Sequence, residues 1–143
     1  MVSLLTHRRI RSLKVGADTY RWWSGHVHTR GAPDTCREVV RIAREDRRGR
    51  VLRVTFRPGP GLHVNDGYPM HDGLIWRAAD DVSLNLHLPS VARAILDAAV
   101  EHGWDAASAL DLDGWDLLDA VVAHLPPKQE GEQEGDPEGE REG

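Results

Sequence analysis

Histidines and arginines carry most of the chemistry open to this 143-residue chain. His26 and His28 are two apart, so a strand would turn both imidazoles to one side, as a metal on a β-ribbon requires. The segment 58–73, PGPGLHVNDGYPMHDG, adds His63, Asp66, His71 and Asp72. Zinc accepts nitrogen and oxygen ligands of this kind, with a fourth position left to water when the site is catalytic. The spacings match no known site pattern, and Asn65-Asp66-Gly67 is also an ordinary turn. No catalytic residue, metal ligand or cofactor is therefore assigned, and a metal-dependent enzyme using His63 and His71 is the weakest of three readings. A phosphate loop, a dinucleotide glycine fingerprint, a Gly-x-Ser-x-Gly elbow and an HExxH pair are all absent from the sequence.

Arginine is the denser signal. Arg37, Arg41, Arg44, Arg47, Arg48, Arg50, Arg53 and Arg57 crowd into 21 residues. Guanidinium groups on a hairpin could lie along a phosphate backbone, with Arg47, Arg48 and Arg50 at the tip and Arg41, Arg44 and Arg53 along the arms. The competing reading is a solvated sheet face whose arginines pair with acids of the same chain. The net charge of -5 argues for it, because nucleic-acid binders usually have a basic balance. Charge is nevertheless segregated. Residues 1–57 hold 14 Lys and Arg against 5 acids, residues 58–127 hold 2 against 11, and residues 128–143 hold 2 against 7. An acidic end segment could fold back over the arginines and compete with an anionic partner.

Aromatic residues supply the third surface. Five tryptophans are many for this length. Trp104 and Trp115 fall in apolar stripes or stops and are expected in the core, whereas Trp23 and Trp76, with His63, Tyr68 and Met70, form the expected contact surface for a partner protein. A single cysteine, Cys36, excludes an internal disulfide framework and reads as a small buried apolar residue.

These groups must be held by elements that the sequence also predicts. LPSVARAILDAAVEHGW, residues 88–104, is the organising helix. Pro89 pre-sets its first turn, and Val91, Ala94, Ile95, Ala98, Ala99 and His102 lay one stripe along it. Gly103 then Trp104 make a Schellman-type stop. Upstream, residues 10–15, the Gly16-Ala17-Asp18 turn and Thr19 to Trp23 read as a hairpin that continues to His28, with a bulge at Gly25 and a break at 31–34. Alternation buries one tryptophan of the Trp22-Trp23 pair and leaves the other on the outer face. Residues 35–56 fit either a helix or a hairpin, and their Val and Ile content favours the hairpin, with Leu52, Val54 and Phe56 inward and Arg53 and Thr55 outward.

Residues 58–73, with four Gly and three Pro, should hold neither helix nor strand. Val82, Leu84, Leu86 and Leu88 alternate as a strand, residues 109–112 form a short last one, and Asp113 caps a helix over 114–125 striped by Trp115, Leu118, Val122 and Leu125. The fold class expected is α+β: a mainly antiparallel sheet of four to six strands in one domain over 1–127, two helices on one face, and a disordered Glu/Gly-rich tail over 128–143.

No apolar run approaches the ~20 residues that span a bilayer, and the start, MVSLLTHRRIRSL, has too short an apolar stretch for a secretory signal. The expected location is the cytoplasm. Sixteen arginines against two lysines is the balance of a high-GC bacterial genome. The leading expectation is a soluble, non-enzymatic accessory protein acting by protein-protein contact through 58–76, with nucleic-acid binding through the arginine hairpin as the alternative.

Overall fold

The computed structural model describes residues 10–29, 32–64 and 73–126, with 28–29 and 32–35 described through their backbone only. It is an α+β fold. Eight strands are described: β1 (Arg11–Val15), β2 (Asp18–Thr29), β3 (Ala32–Arg44), β4 (Leu52–Phe56), β5 (Leu62–Val64), β6 (Leu74–Arg77), β7 (Val82–Asn85) and β8 (Leu110–Asp113). Helix α1 (Pro89–Glu101) precedes β8, and α2 (Gly114–His124) follows it. The strands divide between a five-stranded sheet, β1-β2-β3-β4-β8, and a three-stranded sheet, β5-β6-β7. All pairs are antiparallel except β4 with β8. That parallel pair needs a crossover, and the three-stranded sheet and α1 supply it.

One face of the large sheet builds the core. Tyr20, Trp22, Val40, Ile42, Leu52, Val54 and Phe56 pack with Ile75, Leu84 and Leu86 of the small-sheet segment and with the buried stripes of both helices. Trp22 is the buried member of the tryptophan pair, and Trp23 is half-buried on the opposite face, as alternation requires. Where β4 meets α2 the packing is tight. A Cβ built on Gly114 would stand 2.4 Å from the Phe56 ring, which itself meets Trp115 edge-on at 5.2 Å. Glycine is what lets the helix start at that ring.

Helix α1 begins and ends as its sequence specifies. Pro89 occupies the first turn, Gly103 has φ +103°, and the backbone N–H groups of Trp104 and Gly103 donate to the carbonyls of Ala99 and Val100, both at 3.0 Å, which is the Schellman pattern. His102 is exposed, so the buried stripe ends one turn earlier than expected. Asp113 caps α2 by accepting from the Trp115 N–H at 2.8 Å. Asp113→Ala should therefore cost about 1 kcal/mol, read as a lower urea midpoint at unchanged slope. An unchanged midpoint would show that Gly114 and packing start the helix unaided.

Several expectations are corrected. Residues 35–44 are strand, in the hairpin favoured over the helix. Gly25 pairs in register with Val39, and the irregularity lies between Val27 and Thr29 instead. Residues 32–34 do not break the chain's pairing, because β3 already starts at Ala32. A three-residue strand, β5, persists inside 58–73, its neighbours tied by reciprocal backbone bonds between Gly59 and Leu62. The alternation from Val82 stops at Leu86, since Leu88 is exposed as the N-cap of α1. Leu117, Leu118 and Val121 form the buried stripe of α2, while Val122 is 39% exposed, a rotation of about one position from the predicted face. The tail predicted over 128–143 lies outside the described residues.

Candidate anion-binding face

The other face of the large sheet gathers the arginines. Positions of one parity share a face, and the β3–β4 register pairs odd with odd: Arg41 with Arg53, Val39 with Thr55. Trp23 lies opposite Arg41 on β2, and Asp111 opposite Arg53 on β8. One row across four strands therefore reads Trp23, Arg41, Arg53, Asp111. Val27 pairs with Arg37 four residues along β3, and Arg57 lies just beyond β4 on the same side. Arg37, Arg41, Arg53 and Arg57 wall a groove of ≈ 380 Å³, with Val39, Thr55, Leu112 and the carboxylates of Asp111 and Asp113 also lining it.

Val39 and Thr55 line the groove and are both buried. Thr55 thus points to the predicted face but is shielded there. Helix α2 meets β4 and β8 from the core side. Like charges directly opposite on neighbouring strands are destabilising, and Arg41 against Arg53 is such a pair. Arg53 also reaches Asp111 at 3.3 Å, an exposed contact worth little by itself. Among the described lining residues, four guanidinium groups and two carboxylates share the groove.

The hairpin tip is a different environment. Arg44 donates twice to Asp46, at 3.0 and 2.9 Å, and this holds the Asp46 carboxyl below its ordinary range. Arg48 donates to Glu45 at 2.6 Å, and Arg50 donates to the Ala107 carbonyl. Arg47 is exposed in the one-turn 3-10 segment Glu45–Arg47. Of the six arginines expected to contact nucleic acid, then, only Arg41 and Arg53 line the groove; Arg44, Arg48 and Arg50 make contacts at or beside the tip. Arg37 and Arg57 take their place. Residue parity was the signal: 37, 41, 53 and 57 are all odd, whereas 44, 48 and 50 are even.

A second polar cluster sits at the core-side end of β2 and β3. His26 Nδ1 donates to Glu38 Oε2 at 2.8 Å, and Glu38 is 0% exposed. Ser24 Oγ shares a 2.7 Å hydrogen bond with His87 Nδ1, and the His87 carbonyl accepts from Arg11 at 2.8 Å. Arg11 in turn stacks over Trp22, 5.1 Å from the ring centre. A Cβ on Gly73 would come within 2.6 Å of the His87 ring, so the chain returning into β6 presses directly on it. This network pins the small sheet to the large one. Cys36 is half-buried and unpaired by any disulfide, more open than expected.

On the small sheet, His63 and Trp76 are cross-strand partners with rings stacked at 4.8 Å and 25°. Trp76 is 38% exposed, its indole N–H donates to Asp81 at 2.8 Å, and Leu74 is exposed beside it. Arg77 on the same strand donates to Asp80 and Asp119, bonds that raise its pKa and hold the Asp80 carboxyl low. The expected contact surface is thus split. His63 and Trp76 are brought together, Trp23 is on the other sheet, and Tyr68 and Met70 lie outside the described residues, as do Asp66, His71 and Asp72. Among the described residues no group of three His, Cys, Asp or Glu is placed to hold a metal, and no helix is long and apolar enough to cross a membrane. Comparison with family models, curated proteins and solved structures returned no match.

Proposed function

We propose that this is a binding protein whose arginine-lined sheet groove takes single-stranded nucleic acid. The observation that carries the reading is the row Trp23, Arg41, Arg53, with Arg37 and Arg57 one step along the same strands. Guanidinium groups in two columns suit successive phosphates. A flat sheet suits splayed, unpaired bases; reading a duplex needs a helix or ribbon inserted in a groove. The hairpin that could serve as such a ribbon has most of its tip arginines engaged locally.

The test is the salt dependence of binding by the full chain to a labelled single strand of about 12 nucleotides and to a duplex of similar length. Four phosphate contacts give a slope near -2.8, so affinity for the single strand should fall about 50-fold between about 50 and 200 mM salt. The duplex should bind more weakly. No binding at about 50 mM salt with protein near 100 μM would overturn the reading, and tighter duplex binding would replace it.

The exposed His63–Trp76 stack with Leu74 favours a second reading, contact with a partner protein through the small sheet. Trp76→Ala leaves nucleic-acid affinity unchanged if the two surfaces are independent, and lowers it if the small sheet belongs to the same site.

A further inference from the structure

The outer face of the small sheet is built around one ring. Positions alternate along β6, so Ile75 is buried at 1% exposure while Leu74 and Trp76, at 39% and 38%, look outward. Strand register sets the row across Trp76: His63 on β5 and Ser83 on β7. His63 covers one side of the indole, stacked at 4.8 Å and 25°. The other side is turned toward β7, where the cross-strand partner is a serine, small and exposed. Opposed side chains start about 5 Å apart, which leaves room for one flat group against the indole, above Ser83.

The rim of the ring is held as well. Its N–H donates to Asp81 Oδ1 at 2.8 Å, which fixes the plane of the indole and brings an exposed carboxylate to its edge. The surroundings are acidic. Arg77, the next residue along β6, is answered by Asp80 at 2.6 Å and Asp119 at 2.8 Å, so with Asp81 three carboxylates meet one guanidinium at this end of the sheet. Residues 73–126 as a whole hold 9 acids against Arg77 and Arg93, and Arg93 is itself paired with Asp97 at 3.1 Å.

A purely apolar partner laid over Trp76 would take water from the Asp81 carboxylate and return no hydrogen bond for it. A guanidinium answers both demands, since its plane stacks on the indole while its N–H groups donate to the carboxylate at the rim. We infer that this face binds a basic partner peptide by an arginine side chain, stacked on Trp76 above Ser83 and donating to Asp81. The inference rests on the small-sheet contact given above as the second reading, and it names the partner's chemistry. Leu74, two residues back on the same face, offers apolar surface to the arginine stem. Lysine carries the same charge as a compact ammonium that cannot lie flat on the ring, so it should bind less well.

The experiment titrates the full chain at about 50 mM salt with four blocked hexapeptides, each alternating glycine with arginine, lysine, citrulline or leucine. The Trp76 indole N–H and the backbone amides at 62–64, 74–77 and 81–84 are followed by NMR. The arginine peptide should move them with a Kd near or below about 1 mM, the lysine peptide should bind at least about threefold more weakly, and the citrulline and leucine peptides should leave them in place. Trp76→Leu and Asp81→Asn should each weaken the arginine peptide about threefold to fivefold. Asparagine keeps an oxygen for the indole N–H, so this variant removes the charge and leaves the ring held.

Citrulline binding as tightly as arginine would overturn the inference, as would lysine matching arginine, or an arginine affinity that neither variant lowers. The two readings fail separately. Small-sheet amides moved by the leucine peptide and not by the arginine peptide sink the arginine site and leave protein contact through this face standing; movement by none of the four sinks both. Shifts at 74–77 that depend on protein concentration without any peptide would put a second copy of the chain in the peptide's place and overturn the inference.

Discussion

Arg41→Glu combined with Arg53→Glu should weaken binding of a single strand by about 100-fold or more at about 50 mM salt, and should halve the salt slope. The two residues face each other across β3 and β4, between Trp23 and Asp111. Removing one phosphate partner that contributes about 1.4 kcal/mol costs a factor of ten, and two acids opposite each other beside Asp111 repel the backbone that the arginines would hold. With two phosphate partners remaining the slope falls from about -2.8 to about -1.4. Arg41→Lys with Arg53→Lys keeps the charge and the slope but gives up bidentate geometry, so affinity drops without a change in salt response. Arg53 is exposed and Arg41 half-buried, so unfolding by urea reports separately whether the reversal has harmed the fold. An unchanged affinity and slope in the Glu variant would remove the arginine groove from nucleic-acid binding altogether.

His26→Ala should be the most destabilising of the polar substitutions, at about 3 to 5 kcal/mol. Glu38 is 0% exposed, opposite Phe56 on the core side of the sheet, and its Oε2 accepts from His26 Nδ1 at 2.8 Å. Removing the imidazole takes a hydrogen-bond donor from a carboxylate held in a largely apolar interior, and burying charge with less compensation is far more expensive than losing an ordinary hydrogen bond. Against a typical total of about 5 to 15 kcal/mol, that is a large fraction of stability. Glu38→Leu on the His26→Ala background removes the buried charge, so the double variant should be more stable than the single one, with a coupling well above 0.5 kcal/mol. A His26→Ala loss below about 1 kcal/mol would mean that water enters to solvate Glu38. The cluster's position gives the loss a spatial consequence, because Ser24 and His87 beside it join the two sheets.

What was legible in the sequence is local. The first turn and the Schellman stop of α1 need only Pro89, Gly103 and Trp104, each acting within a few residues. Asp113 capping α2 is a contact two residues long. The two hairpins follow from alternation and turn residues, and parity alone puts Trp22 and Trp23 on opposite faces. The same parity places Arg37 with Arg41 and Arg53 with Arg57, although counting arginines by their nearness to the hairpin tip hid it.

Only the tertiary structure decided the rest, because it depends on contacts between residues far apart in the chain. Even register between β3 and β4 merged two arginine pairs into one face, whereas a one-residue slip would have sent them to opposite sides. Asp111 and Asp113 came to the groove through β8, the parallel edge strand, whose pairing with β4 spans more than fifty residues and no local pattern announces it. Burial of Leu117 in place of Val122 was set by how α2 packs on α1 and Phe56, which a helical stripe specifies only to within a residue. Likewise Ser24 met His87 across 63 residues. Composition and spacing determined which elements form and which side chains each can present; register and packing determined which of those side chains share a surface.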